Sequence, residues 1–194
     1  MSSISVLKFN DKYVQYAYDN NFVFPSPPDK PTLSSFGGDQ EIFIDWNNQY
    51  NYQFIEANQT GKLTFQGYEL WQFPSINSNN GWKVITFAKD GTNIIGEYVN
   101  PATGFVTTTL LHQGTATGIL RNFVVKKDQS NGGQPLTNGK EYYFALRAFG
   151  RSTNSAYNND NVKVENMLAS TGPFNRFSVT PRNGVSGVDY KDKT

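Results

Sequence analysis

The chain has 194 residues, a net charge of +1, no cysteine and an aromatic fraction of 15%. That length suits one large domain, or one ordinary domain with elaborations, and burial of roughly 70% of the extended-chain surface forms a core without metal or disulfide. The charge balance removes the electrostatic motive for nucleic acid or anionic membranes, the missing thiols exclude disulfide frameworks, thiolate zinc sites and cysteine nucleophiles, and no apolar run reaches the length of a membrane span.

Residues 1–24 alternate loosely, with Val6, Phe9, Tyr13, Tyr16 and Tyr18 interleaved with polar residues. Rich in aromatic and β-branched residues and poor in Ala and Leu, they read as one or two edge strands or an extended arm rather than a helix. The first residues lack the basic, apolar and cleavage-site succession of a signal peptide. The chain is therefore expected to be cytosolic, already processed, or a piece of a longer exported protein. Residues 25–31 hold Pro25, Pro27, Pro28 and Pro31, which fix extended backbone and remove amide donors, so a stiff linker is expected there.

Short strands follow at the spacing of an all-β domain. Residues 32–36 form the first, ending at Gly37-Gly38-Asp39. In 41–47 Ile42, Ile44 and Trp46 share one face, and a large indole there is a natural centre for a two-sheet core. The polar, aromatic segment 47–59 reads as a loop. In 62–73 Tyr68, Leu70 and Gln72 oppose Glu69, Trp71 and Phe73; aromatics on both faces make this a central strand with extra cover. Turns at 77–81, 89–92 and 100–104 separate strands at 82–88, 94–99 and 105–111. Another strand at 119–127 places Phe123 and Val125 on one face. A polar loop is expected at 152–161, a last strand within 162–179, and a flexible tail at 181–194.

The stretch 134–149 organises the rest. Leu136 precedes a tight Asn138-Gly139 turn, and the strand after it places Tyr142, Phe144, Leu146 and Ala148 on one face and Tyr143, Ala145, Arg147 and Phe149 on the other. Leu136 to Tyr142 has the spacing of a corner, in which a leucine plugs one end of the core and a tyrosine hydroxyl reaches back to the preceding turn. Trp46, Tyr68, Phe144 and Leu146 are the expected core.

Chemistry is sparse. His112 is the sole histidine, no Gly-x-Ser-x-Gly elbow accompanies it, and it reads as a loop residue. Gly61-Lys62 and Gly139-Lys140 lack the Ser or Thr that a phosphate loop requires. Asp45, Glu56, Glu69 and Glu97 are the carboxylates from which a glycosidase pair would be drawn, with solvent-facing or edge roles expected for Asp45 and Glu69. Asn158, Asn159, Asp160 and Asn161 offer hard oxygen ligands for calcium without EF-hand spacing; a solvated Asn-rich loop is the plainer reading. No catalytic residue, cofactor or metal is expected. Trp71, Trp82, Tyr143, Phe149 and Phe73 exceed what one core holds, so the first four are the expected ligand or partner surface. Exposed aromatics on a sheet also stack against sugar rings, unless an inserted segment and the N-terminal arm cover them.

Pro28-Asp-Lys-Pro-Thr-Leu33, Ile42-Phe-Ile-Asp-Trp46, Gly67-Tyr-Glu-Leu-Trp71 and the run from Leu136 through Tyr142 to Ala148 together resemble a fibronectin type III domain. Asn138 stands where a proline is common in that family. The resemblance implies an all-β, immunoglobulin-like sandwich over 32–180. An inserted β-hairpin region at about 75–118 and an N-terminal extended arm would set it apart from the family's shorter domain. The arrangement also looks like domains of large exported bacterial surface proteins. That likeness implies a non-catalytic structural or interaction module at the cell surface or outside it: a spacer, adhesion element or assembly subunit, partnered by neighbouring domains or copies of itself. Carbohydrate binding, with polysaccharide as partner, is the alternative, and a glycosidase accessory or catalytic domain the third.

Overall fold

A computed structural model describes residues 2–19, 21–22, 27–57, 63–100, 103, 105–153, 161–165 and 176–183. The elements are helix α1 (Ser2–Asp19), strands β1 (Ser34–Gly38) and β2 (Glu41–Asp45), helix α2 (Gln49–Glu56), and strands β3 (Leu63–Phe73), β4 (Trp82–Ala88), β5 (Ile94–Val99), β6 (Val106–His112), β7 (Asn122–Val125), β8 (Lys127–Asp128), β9 (Gln134–Pro135), β10 (Tyr142–Thr153), β11 (Asn161–Glu165) and β12 (Arg176–Val179). Among the described residues every strand pairing is antiparallel, and strands dominate, so the fold is all-β.

One sheet has the order β1-β2-β7; a second has β11-β10-β3-β4, with β12 also on β10. Period-two alternation turns Ile42 and Ile44 of β2 and Val125 of β7 inward from the first sheet. Tyr68 and Leu70 of β3, Phe87 of β4, and Phe144, Leu146 and Ala148 of β10 come from the second, and all join one buried cluster. The two sheets therefore face each other across a shared apolar layer. Trp46 sits at its centre, edge-on to Tyr68 at 5.9 Å and tilted against Phe87 at 5.5 Å. The expected core residues Trp46, Tyr68, Phe144 and Leu146 are all buried here.

The Leu136–Tyr142 stretch closes one end. Both residues are buried, and the Thr137 N–H donates to the Tyr142 hydroxyl at 2.8 Å. Between them Gly139 adopts φ +81°, a backbone region in which other residues are strained. Asn138 does more than turn the chain. Its Oδ1 accepts from Gln40 N–H at 2.8 Å, and its Nδ2 donates to Asp39 Oδ1 at 2.7 Å and to Asn183 Oδ1. It thereby ties the β1–β2 turn to the segment after β12.

The structure corrects two expectations. Residues 2–19 form a helix, not edge strands or an extended arm. Ile4, Leu7, Asp11, Val14 and Tyr18 recur at three- and four-residue spacings, as do Val6, Phe9, Tyr13 and Tyr16. Propensity differences of a few tenths of a kcal/mol per residue yield to that period. Beyond the end of α1, Asn21 has φ +50° and the Phe22 N–H donates to Ala17 C=O at 2.6 Å. The expected loop at 47–59 contains α2, capped by Asn48, whose side chain accepts from Asn51 N–H. It is anchored by buried Ile55.

The region expected as an insertion at 75–118 holds two different things. β4 pairs with β3 inside the second sheet, whereas β5 and β6 make a separate two-stranded hairpin. The expected polar loop at 152–161 begins later than anticipated, since Ser152 and Thr153 still pair with β11. Most of that loop and the tail from residue 184 lie outside the described residues.

Replacing Tyr142 with Phe removes the acceptor of the Thr137 N–H at a part-buried site. It should cost about 1–2 kcal/mol, seen by calorimetry as a melting temperature roughly 2–8 °C lower. An unchanged melting temperature would remove the hydroxyl from the account of this corner.

Candidate functional site

The unusual chemistry lies on the face of the second sheet turned away from the core. Glu69 of β3 is directly opposite Arg147 of β10, and Trp71 is opposite Lys83 of β4. The pleat thus collects a carboxylate, two cations and an indole on one surface. Glu69 is fully buried and Arg147 nearly so. Glu69 Oε2 accepts from Arg147 Nε at 2.7 Å, from Arg147 Nη2, and from Trp71 Nε1 at 3.2 Å. Its Oε1 accepts from Lys83 Nζ at 3.3 Å. The Arg147 guanidinium also lies 4.7 Å from the Trp71 ring centre, with the Lys83 ammonium at 5.7 Å.

The β5–β6 hairpin supplies the cover. Its last residue, His112, is buried, with Nδ1 3.5 Å from Glu69 Oε1 and the imidazole 4.6 Å from the Phe149 ring. Phe149 is fully buried and Ile94 of β5 is too. The expectation of a solvent-facing or edge Glu69 is therefore overturned. So is the loop assignment of His112, which ends a strand. Both corrections have one cause: a second layer covers the outer face, and only the fold brings it there.

The expected aromatic surface does not assemble as a platform. Phe149 lies under His112. Trp71 is half-buried among cations that a stacking sugar would have to displace. Tyr143 is half-buried and donates its hydroxyl to Glu141 Oε2 at 2.7 Å. Only Trp82, 41% exposed at the start of β4, faces solvent substantially. Sequence reading missed a different aromatic pair: Phe36 and Phe43 stack at 4.6 Å with an 11° tilt on the outer face of the first sheet, Phe36 being well exposed. Val124 continues the row across β7. The signal was there in the pairing of two short strands around the Asp39-Gln40 turn.

The other carboxylates have separate partners. Asp45 is exposed and accepts from Asn47 N–H at 3.1 Å. Glu56 of α2 is clamped by Arg121, Nε–Oε1 at 2.9 Å and Nη2–Oε2 at 2.7 Å, and accepts from the Tyr68 hydroxyl at 3.0 Å. Burial, reinforced by the Glu56 charge, pushes the Tyr68 phenol well above its ordinary value. The Glu97 side chain and Asn158, Asn159 and Asp160 fall outside the described set. Among the described residues no group of three His, Asp or Glu is placed to hold a metal ion.

A further cluster ties the strands beyond β7 to the sheet. Asp128 accepts from Gln72 Nε2 at 2.6 Å and Ser130 N–H at 3.0 Å through Oδ1, and from Lys140 Nζ at 2.8 Å through Oδ2. Burial alone would raise its pKa, but the hydrogen bonds from Lys140, Ser130 and Gln72 outweigh that and hold the carboxyl below its usual range. No family model, curated protein or solved structure matches this chain.

Two predictions follow from this geometry. Glu69→Ala leaves Arg147 buried without its carboxylate and should cost about 3–5 kcal/mol in urea denaturation, whereas Glu69→Leu combined with Arg147→Met should recover most of that. Because the folded pKa of Asp128 is depressed, its contribution is present above the unfolded value of about 4. It is lost as pH falls through the lower folded value. Urea midpoints measured across that range should decline less steeply for Asp128→Asn than for the parent; parallel curves would refute the assignment.

Proposed function

We propose that this chain is a fibronectin type III-like module of an exported or cell-surface protein, acting without catalysis through contacts at its surface. The observation that carries the reading is the division of strands. Taking β1, β2, β3, β10 and β11/β12 as A, B, C, F and G, β7 falls in the place of E. The sheets then sort as A-B-E against a sheet containing C-F-G, as in immunoglobulin-like sandwiches. Tyr142 at the start of β10, bonded back to Thr137, is the matching tyrosine corner. Asn138, where the family commonly has proline, is supported by its own bonds to the β1–β2 turn.

The chemistry points the same way. Glu69 has its oxygens engaged by donors of its own face, so its role is to hold the hairpin down. Among the described residues the groups offered for recognition include Phe36, Trp82, Tyr50 and Phe54 of α2, and Ile4, Leu7, Val14 and Tyr18 of α1, all exposed. Residues 2–19 are helical, so they make contacts as a helix face and not as a strand added to a neighbour's sheet edge. Carbohydrate binding is the second reading, favoured by the exposure of Trp82.

On intact cells of the native host, added protease should remove this chain; complete protection until lysis would overturn the surface assignment. A polysaccharide affinity panel should show no retention. Retention abolished by Trp82→Ala would put the second reading first, and the parallel Trp71→Ala variant should behave as the parent.

A further inference from the structure

Ile4, Leu7, Val14 and Tyr18 of α1 are 63, 65, 64 and 69% exposed. With Asp11 between Leu7 and Val14, they alternate at three- and four-residue spacings, the pattern of a heptad seam. At 3.6 residues per turn the five positions fall within a stripe about 80° wide, the narrow stripe of a helix that pairs with another helix. α1 touches β6 of its own chain and buries Ala17, which lies off this stripe.

Charge selects the occupant. Asp11 interrupts the seam at its middle, and Lys8, one turn earlier, stands on the same side of the stripe as Asp11; both are exposed. A parallel pair of identical helices would set Asp11 against the partner's Asp11 within the seam, and like charges there are disfavoured. In the antiparallel register whose facing positions sum to 18, Ile4 meets the partner's Val14 and Leu7 meets the partner's Asp11, so the Leu7 side chain packs along the stem of Asp11 while its carboxylate turns to the rim. Asp11 then lies beside the partner's Lys8. Two-fold symmetry makes each contact twice, so one patch complements itself.

We propose that the chain forms an isologous dimer in which α1 packs antiparallel against α1 of a second copy, with Ile4, Leu7 and Val14 in the seam and Asp11 paired to the partner's Lys8. This deepens the surface-contact reading above by naming the partner, and it is independent of the sheet assignment. One helix pair of this length buries less than the ~800 Å² per partner of a standard stable interface. The dimer is accordingly weak and exchanging, suited to contacts multiplied along an assembly.

Sedimentation equilibrium of the full chain from micromolar to millimolar concentration should show the mass rising from one chain to two. Leu7→Glu with Val14→Glu should stay monomeric at every concentration while keeping the parent's urea midpoint, which separates loss of pairing from loss of folding. Asp11→Lys should weaken dimerisation at least about tenfold, and Lys8→Asp combined with Asp11→Lys should return it to within about threefold. A parent chain that remains monomeric, or a dimer indifferent to the double Glu variant, would overturn the proposal. Failure of the charge swap to restore pairing would overturn the antiparallel register. Any of these leaves the protease test on cells unaffected, so the two readings fail separately.

Discussion

The pairing of β3 with β10 is the constraint on which the rest depends. It runs from Tyr143 opposite Phe73 to Ser152 opposite Leu63, with one irregularity at Phe149/Gly150. Its pleat decides what each flank of the molecule is made of. Inward it delivers Tyr68, Leu70, Phe144, Leu146 and Ala148 to the aromatic layer around Trp46. Outward it delivers Glu69, Arg147 and Phe149; the cover that buries Phe149 also buries the two charges, which must then be matched to each other. A slip of one residue would exchange the two sets, placing a carboxylate and a guanidinium in the apolar layer.

The outward cluster acts through geometry more than through net energy. Desolvating Glu69 and Arg147 costs about as much as their attraction returns, so a buried pair of this kind is a weak source of stability. Its consequence is selectivity in how the β5–β6 hairpin docks. His112 meets both Glu69 and Phe149 in the observed arrangement, and a hairpin shifted by one residue would put Leu111, now half-exposed, over the carboxylate.

Polar ties between segments remote in sequence hold the ends of the sheets together. Asn138 joins the β1–β2 turn to Asn183, Asp128 joins Gln72 to Lys140, and Glu56 joins α2 to Arg121. Each lies in a turn or at the end of a strand or helix, where its neighbours in sequence say nothing about its partner. The same holds for Thr117, whose hydroxyl accepts from Ala88 N–H at 2.9 Å and donates to Thr86 C=O at 3.2 Å. It thereby occupies part of the open edge of β4, the kind of edge that otherwise invites pairing with another chain.

Local pattern alone determined strands β1 to β7 and β10, the central place of 63–73, the inward faces of β2, β3 and β10, and the Leu136–Tyr142 stretch with its Asn138-Gly139 turn, but not β8 and β9 or the division of 162–179 into β11 and β12. Period-two alternation and turn chemistry are properties of a few adjacent residues, so they can be read without the fold. Local composition misleads at α1, whose aromatic and β-branched content points to strand while the chain is helical, and at α2, whose polar, aromatic content points to a loop although Asn48 caps a helix. Tertiary structure decided the rest: that Phe149 is covered while Phe36 is not, that Glu69 is buried among Arg147, Lys83 and His112, and that 94–112 stands off as a hairpin while 82–88 joins the sheet. Whether an outward side chain meets water or another layer depends on what packs over it. For Glu69 and His112, 43 positions apart, that neighbour is fixed only once the hairpin has folded back.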